Sequence, residues 1–246
     1  MNNLPLVNII QNPYEIWEER HPTYEEMMNG KTGLQKERLI ARINNHDDAV
    51  RHELHNRGCT KLERFIEDEL NNSLTYKAMR QMMPSKTDKL LSDFQNKFQS
   101  THFEKVSAVV NRDGKLLAEG QVLYHGGFWL GKVNEEVVTS RPLSTSFSPH
   151  MACQNADWSG KAYDSGELHL MKIRAVRPQT NAFCFRINGT SKGHEKEVLL
   201  AAGAKLILRK KTLIKSDGAA YKSCNVYAGN VLEKTIPFYL LEMDIS

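Results

Sequence analysis

The sequence is poor in cysteine, in long apolar runs and in excess charge. Its four cysteines, Cys59, Cys153, Cys184 and Cys224, are far apart and form no Cys-x-x-Cys pair or zinc-like spacing with histidine. We therefore expect reduced thiols and no metal site. No stretch approaches the roughly 20 apolar residues that span a membrane. The formal net charge is only +4, which does not favour a nucleic-acid-binding protein.

A secretory signal is also missing from the N-terminus. Met1-Asn2-Asn3-Leu4-Pro5-Leu6 has neither a basic segment nor an apolar core of signal length. We therefore expect a chain that folds in a cytoplasm, which leaves open its delivery into a host cell by a specialised secretion system or by a phage. Hydrophobic residues make up 40% and charged residues 25% of the 246 positions, as in soluble globular proteins. That length allows one or two domains, and we expect two.

Residues 1–102 have the pattern of a helical region. Apolar residues recur three and four positions apart, without strand-like alternation. Asn12-Pro13, Thr23 and Thr60 each provide a helix-capping signal, and the clearest apolar stripe follows the last of these. We predict an α-helical N-terminal region whose stripes form a core. The alternative is that this region docks a partner protein or covers a nucleotide cleft.

From residue 103 the pattern changes to short β-prone runs separated by turns. A short helix is expected over residues 149–156. The predicted strands are 106–110, 122–124, 167–173, 182–187, 198–200, 205–208 and 237–243. Because strands dominate and one or two helices interrupt them, we predict an α+β domain over residues 103–246.

Three short motifs in this domain carry the functional signal. They are Tyr124-His125-Gly126 at a strand end, Ser144-Thr145-Ser146 within a strand, and Glu195-Lys196-Glu197 at the start of another strand. Side chains two apart in a strand share a face, so we expect the two glutamates side by side and Lys196 pointing away. Taken alone, each motif is also compatible with a solvated strand edge.

Together, and in this order, the three motifs resemble those of the ADP-ribosyltransferases. More narrowly, they resemble the arginine-serine-glutamate branch, which includes cholera-toxin-like and clostridial toxins, bacterial effectors and phage-encoded enzymes. The resemblance covers residues 103–246 and departs at His125, where that branch has arginine. The diphtheria-toxin-like branch and the RNA 2′-phosphotransferases have a His-Gly pair at this place. The resemblance implies a catalytic domain of two small packed β-sheets with NAD in the cleft between them.

The resemblance also implies roles for the two glutamates. In the family the second glutamate stabilises the oxocarbenium-like ribose that forms as nicotinamide leaves, and this role falls to Glu197. Glu195 would face the acceptor. Family members with glutamate at this position tend to modify arginine, whose guanidinium must be oriented and relieved of a proton as it attacks. The glycine-containing loop 188–194 would form the acceptor-recognition surface.

The remaining motif residues are expected to hold NAD. Ser144 and Ser146 would share a strand face and brace Glu197 with their hydroxyls, while Thr145 would be buried or would steady the turn. Tyr124, His125 and Gly126 would contact the cofactor. Because a neutral histidine cannot offer phosphate a bidentate charged fork, a further basic residue such as Arg141 or Arg174 is a candidate for that task.

The sequence thus predicts an NAD-dependent mono-ADP-ribosyltransferase that uses NAD as a substrate, needs no metal and modifies a protein at arginine. Two alternatives stay open. One is an RNA 2′-phosphotransferase or a nucleic-acid ADP-ribosyltransferase on the same fold, suggested by His125. The other is a degenerate, non-catalytic member that serves as a binding module.

Overall fold

The structure is a computed structural model that describes residues 3–98, 102–223 and 231–246. In these ranges the helices are α1 (Tyr24–Met28), α2 (His46–His55), α3 (Lys61–Asn72), α4 (Leu74–Gln81), α5 (Lys89–Lys97), α6 (Phe103–Asp113), α7 (Pro149–Asp157) and α8 (Lys161–Ser165). The strands are β1 (Tyr14–Arg20), β2 (Gln35–Ile43), β3 (Lys115–Leu116), β4 (Val122–Gly127), β5 (Glu136–Val138), β6 (Leu143–Ser146), β7 (Leu168–Ala175), β8 (Asn181–Cys184), β9 (Glu197–Leu200), β10 (Lys205–Ser223) and β11 (Val231–Ile245).

The N-terminal region is not purely helical, so that prediction is wrong for its first part. β1 and β2 pair antiparallel as a separate two-stranded sheet, and Asn12-Pro13 opens no helix. Cross-strand contacts hold this hairpin together: Arg38 lies opposite Glu18 with 2.8 Å between charged atoms, and Lys36 Nζ lies 5.1 Å from the centroid of the Trp17 ring. Such pairs stabilise a sheet without leaving a simple period in the sequence.

The helices that follow agree better with their sequence signals. Thr23 and Glu26 form the predicted capping box at α1. Thr60 precedes α3, but its side chain makes no capping hydrogen bond. The predicted stripe of α3 is nevertheless buried, at Leu62, Ile66 and Leu70, because residues spaced three and four apart share one helix face.

The run 106–110, predicted as a strand, lies in α6. Val106, Val109 and Val110 are its buried apolar residues, and their spacing of three and four is that of a helix face. The error has a simple cause, since a short valine-rich run fits a buried strand and a buried helix equally well. The predicted helix over 149–156 is confirmed as α7.

The strands after α6 that the structure describes form one nine-stranded sheet in the order β3-β8-β9-β6-β4-β7-β11-β10-β5. Neighbouring strands are antiparallel except β7 and β11, which are parallel. The expected pair of separate sheets is therefore linked by strand pairing into one. The link is narrow, because β4 and β6 share a single residue pair, Tyr124 with Ser146. Two of the three predicted motifs meet at this junction.

Helix α7 packs tightly against β4. A Cβ atom on Gly126 would lie 1.6 Å from the carbonyl oxygen of Ala152, so this position requires glycine. Cys59, Cys153 and Cys184 carry free thiols, while Cys224 lies outside the described residues. In the part of the chain that the structure describes, no helix combines the length and apolarity needed to cross a membrane.

Candidate active site

Glu197 is the first residue of β9, and only 5% of its surface is exposed. Both of its carboxylate oxygens have partners: Ser144 Oγ donates to Oε1 at 2.6 Å, and Gln95 Nε2 donates to Oε2 at 2.8 Å. Burial raises the pKa of Glu197 to about 7, against the lowering effect of these two hydrogen bonds. The carboxyl group therefore changes its charge near neutral pH.

Glu195 does not lie on the same strand as Glu197, so the prediction of two acids side by side on one pleat is wrong. Glu195 ends a short 3₁₀ turn from Gly193, and Lys196 then adopts a left-handed conformation with φ of 48°. The Glu195 carboxylate pairs with Lys192 Nζ at 2.8 Å. Its charge still helps to raise the pKa of Glu197, so the two acids remain close although the backbone between them turns.

Lys196 points into the protein rather than away from it. Only 2% of its surface is exposed. Its Nζ lies 2.5 Å from Glu63 and 3.3 Å from Glu67, both on α3. The segment that carries the two glutamates is therefore attached to the N-terminal region by a buried ion pair.

The Ser144-Thr145-Ser146 motif lies on β6 as predicted, but its hydroxyls have different partners. Ser144 braces the Glu197 carboxylate as expected. Ser146 does not, because its Oγ donates to the backbone oxygen of Glu195 at 2.6 Å. Thr145 is buried and donates to the backbone oxygen of Val198 at 2.6 Å. One serine thus holds the acid, and the other holds the turn that precedes it.

His125 lies beside this pair of strands. Its Nδ1 donates to the backbone oxygen of Ser144 at 2.7 Å, which fixes the tautomer because a carbonyl can only accept. Desolvation lowers the pKa of His125, and the positive charges of Arg141 and Lys161 act in the same direction. The imidazole is therefore neutral at physiological pH, and Nε2 is left as an acceptor.

The Tyr124 side chain lies in the core and does not contact Ser144 or Glu197 through a hydrogen bond. It is fully buried, and its hydroxyl bonds Nδ1 of His46 on α2 at 2.6 Å. Since neighbouring strand residues point to opposite faces, its ring lies across β4 from the His125 side chain. The structure thus brings His125, Ser144 and Glu197 together, with the Gly126 backbone covered by α7, and places Tyr124 in the core.

The two basic residues considered for phosphate binding lie in different surroundings. Arg174 is paired with Asp244, 3.1 Å away on β11. Arg141 is exposed, close in sequence to Ser144, and near enough to His125 to affect its pKa. Lys161, which sequence analysis did not consider, acts on His125 in the same way.

Sequence analysis also missed Gln95, which lies 102 positions before the carboxylate that it contacts. No local pattern singles out this side chain among the polar residues of an amphipathic helix. In the described ranges no cluster of three or more His, Cys, Asp or Glu side chains is arranged to hold a metal ion. The site offers a buried carboxylate that accepts from the Ser144 hydroxyl, while the His125 imidazole bonds the backbone of the same serine. Such a carboxylate can stabilise a positive charge developing on a bound substrate.

No family model and no curated protein matches the chain. Among solved structures it is similar to the ADP-ribosyltransferase Vis from Vibrio splendidus in complex with the inhibitor M6, with a TM-score of 0.37 and 14% identity over 64% of this chain and 66% of that one. It is also similar to the ADP-ribosylating toxin BECa of C. perfringens with NADH, with a TM-score of 0.36 and 13% identity over 82% of this chain and 49% of that one. A third similar structure is exoenzyme S from Pseudomonas aeruginosa in complex with human 14-3-3 protein beta and carba-NAD. Its TM-score is 0.36, and the identity is 12% over 80% of this chain and 88% of that one. These scores are too low to assign a fold or a function to this chain.

Proposed function

We propose that the chain is an NAD-dependent mono-ADP-ribosyltransferase that transfers ADP-ribose to a protein arginine and releases nicotinamide. The observation that carries this proposal is the buried Glu197 carboxylate, held by Ser144 at 2.6 Å beside His125. A role as a toxin or effector delivered into a host cell belongs to the same proposal.

The chemistry of NAD explains why a carboxylate is needed. When the bond between ribose and nicotinamide breaks, its electron pair leaves with the positively charged pyridinium ring, which becomes neutral. The leaving group therefore needs no general acid, and positive charge develops on the ribose instead. An ionised Glu197 stabilises this charge, and its buried position strengthens the interaction.

Glu195 is suited to a different task. Its side chain is 23% exposed, whereas Glu197 is almost covered, and it follows the loop 188–194. We assign it to the acceptor, where a carboxylate orients the arginine guanidinium and takes its proton as the nitrogen attacks. If so, attack by water needs Glu197 but not Glu195.

The test is incubation of the full chain with labelled NAD and an arginine-containing acceptor. We expect Glu197→Gln to lose both transfer and NAD hydrolysis. We expect Glu195→Gln to lose transfer while it still hydrolyses NAD. Glu119→Gln, at an exposed position outside the motifs, should behave like the wild type. Transfer that survives in Glu197→Gln would refute the proposal.

One observation favours a second candidate. His125 is neutral and donates to the Ser144 backbone, so it supplies no permanent charge to phosphate. This is compatible with an RNA 2′-phosphotransferase or a nucleic-acid ADP-ribosyltransferase. Removal of phosphate from 2′-phosphorylated RNA in the presence of NAD, or labelling of nucleic acid by NAD, would select this candidate. Absence of both NAD binding and NAD cleavage would select the non-catalytic binding module.

A further inference from the structure

Helices α3 and α5 of the N-terminal region both contact the segment that carries the two glutamates. From α5, Gln95 donates to the Glu197 carboxylate at 2.8 Å, and the neighbouring Asn96 accepts from Ser191 at 3.2 Å. From α3, Glu63 and Glu67 bind the buried Lys196. Asn188, the first residue of the loop 188–194, also donates to Asn71 at the end of α3, at 2.8 Å. These contacts run along the whole segment 188–197.

We propose that α3 and α5 belong to the catalytic unit as positioning elements, with Gln95 holding the Glu197 carboxylate directly and Lys196 anchoring the turn between the two glutamates. This inference rests on the function proposed above. It gives the N-terminal helices a task beyond core formation, and it makes Gln95, Lys196 and Glu63 positioning residues, since they act through Glu197 and Glu195.

Gln95 acts on the charge of Glu197. Four neighbours surround the carboxylate: Ser144 from β6, Glu195 and Lys192 from the preceding segment, and Gln95 from α5. An amide N–H that donates to a carboxylate stabilises its ionised form. Gln95 therefore opposes the effect of burial and of the nearby Glu195, and it keeps more of Glu197 in the charged state that the reaction requires.

Lys196 acts on position rather than on charge. Its backbone lies between the two glutamates in a left-handed conformation, which an L-residue adopts only when its surroundings impose it. The surroundings here are the two α3 carboxylates on Nζ and the hydroxyl of Ser146 on the Glu195 carbonyl. Without the anchor, the turn is free to relax and both carboxylates move.

The first test is the pH dependence of kcat for NAD cleavage in the full-length Gln95→Leu variant. A hydrogen bond to a charged group favours the ionised form enough that its loss should move the acidic limb upward by about one pH unit. At pH 7 this lowers kcat about fivefold, and at pH 9 the variant should approach the wild type. Lys97→Ala, at an exposed position on the same helix, is the matched control and should leave the profile unchanged.

The second test removes the anchor. We expect Lys196→Met to lower kcat about 100-fold at every pH, because misplaced reacting groups lose rate whatever their charge. Glu63→Gln keeps the side-chain shape and serves where the lysine variant fails to fold; it should lower kcat in the same pH-independent way. The Michaelis constant for NAD should change little in both.

The outcomes separate this inference from the proposed function. If the wild type does not cleave NAD, the proposed function fails. If the wild type cleaves NAD but the acidic limb of the kcat profile lies at the same pH in Gln95→Leu as in the wild type, this inference is overturned and the proposed function stands. Carbon-13 NMR of the glutamate carboxyls, with Glu197→Gln for assignment, gives a readout that does not depend on activity: the pKa of Glu197 should rise in Gln95→Leu, and an unchanged value would also overturn the inference.

Discussion

Replacing Glu197 by glutamine should make the protein inactive and, at alkaline pH, more stable. The pKa of Glu197 rises from its ordinary value of 4.5 to about 7 in the folded chain, because burial disfavours the charged form. A group with a raised folded-state pKa contributes stability that is fully present below pH 4.5 and is lost as pH rises through 7. Above pH 7 the wild type therefore contains a buried charge that the amide variant lacks.

The magnitude follows from the same two values. A rise from 4.5 to about 7 corresponds to about 3 kcal/mol in the free energy of unfolding at pH 8, and to less than about 1 kcal/mol at pH 5. For a chain of this size, about 3 kcal/mol shifts the melting temperature by roughly 6–12 °C. The amide itself fits the site, since its oxygen can accept from Ser144 and the Gln95 amide can flip to accept from its nitrogen.

The assay is calorimetric unfolding of wild type, Glu197→Gln and the control Glu119→Gln at pH 5 and pH 8. We expect the melting temperature of Glu197→Gln to exceed that of the wild type at pH 8 and to be close to it at pH 5. A difference of the same size and sign at both pH values would refute the reasoning, because it would show that ionisation of Glu197 is not what the substitution removes.

Three further predictions follow from the site. First, kcat for NAD cleavage should rise about tenfold per pH unit below pH 7 and level off above it, as Glu197 ionises; a profile that falls over this range would contradict the assignment. Second, Ser144→Ala should lower kcat at pH 7 by about tenfold or more through the lost donor to Glu197, whereas Ser146→Ala should mainly impair transfer to the acceptor, because it releases the Glu195 backbone; rate assays with water and with arginine as acceptor separate the two. Third, Gly126→Ala should destabilise the fold by about 3 kcal/mol in denaturant unfolding, since its methyl group would overlap the α7 backbone, and unchanged stability would show that α7 is free to move.

The parts of the fold that could be predicted are those with a local cause. The capping box of helix α1 and the short β-prone runs of β4, β6 and β9 depend on residues that are next to one another in the sequence. The contact between Ser144 and Glu197 could be anticipated because family resemblance places their strands side by side. The hairpin β1–β2 could not, since cross-strand charge pairs stabilise it and its apolar spacing resembles that of a helix.

The parts of the site that could not be predicted depend on contacts between distant positions. Gln95 and Glu197 are 102 residues apart, and Lys196 and Glu63 are 133 apart. Nothing in a short window indicates that a helix of the N-terminal region will supply a partner to β9. The left-handed turn at Lys196 has the same origin, because the ion pair with α3 favours it while the sequence alone favours a straight strand.

The narrow junction between β4 and β6 has a consequence for position 125. Because the two strands share one residue pair, the Ser144 carbonyl takes its hydrogen bond from the His125 imidazole at 2.7 Å where a longer ladder would provide a backbone N–H. The His125 side chain therefore supplies a hydrogen bond between β4 and β6 in place of a backbone one, beside the proposed substrate site. An apolar residue at position 125 would leave the Ser144 carbonyl without this hydrogen-bond partner.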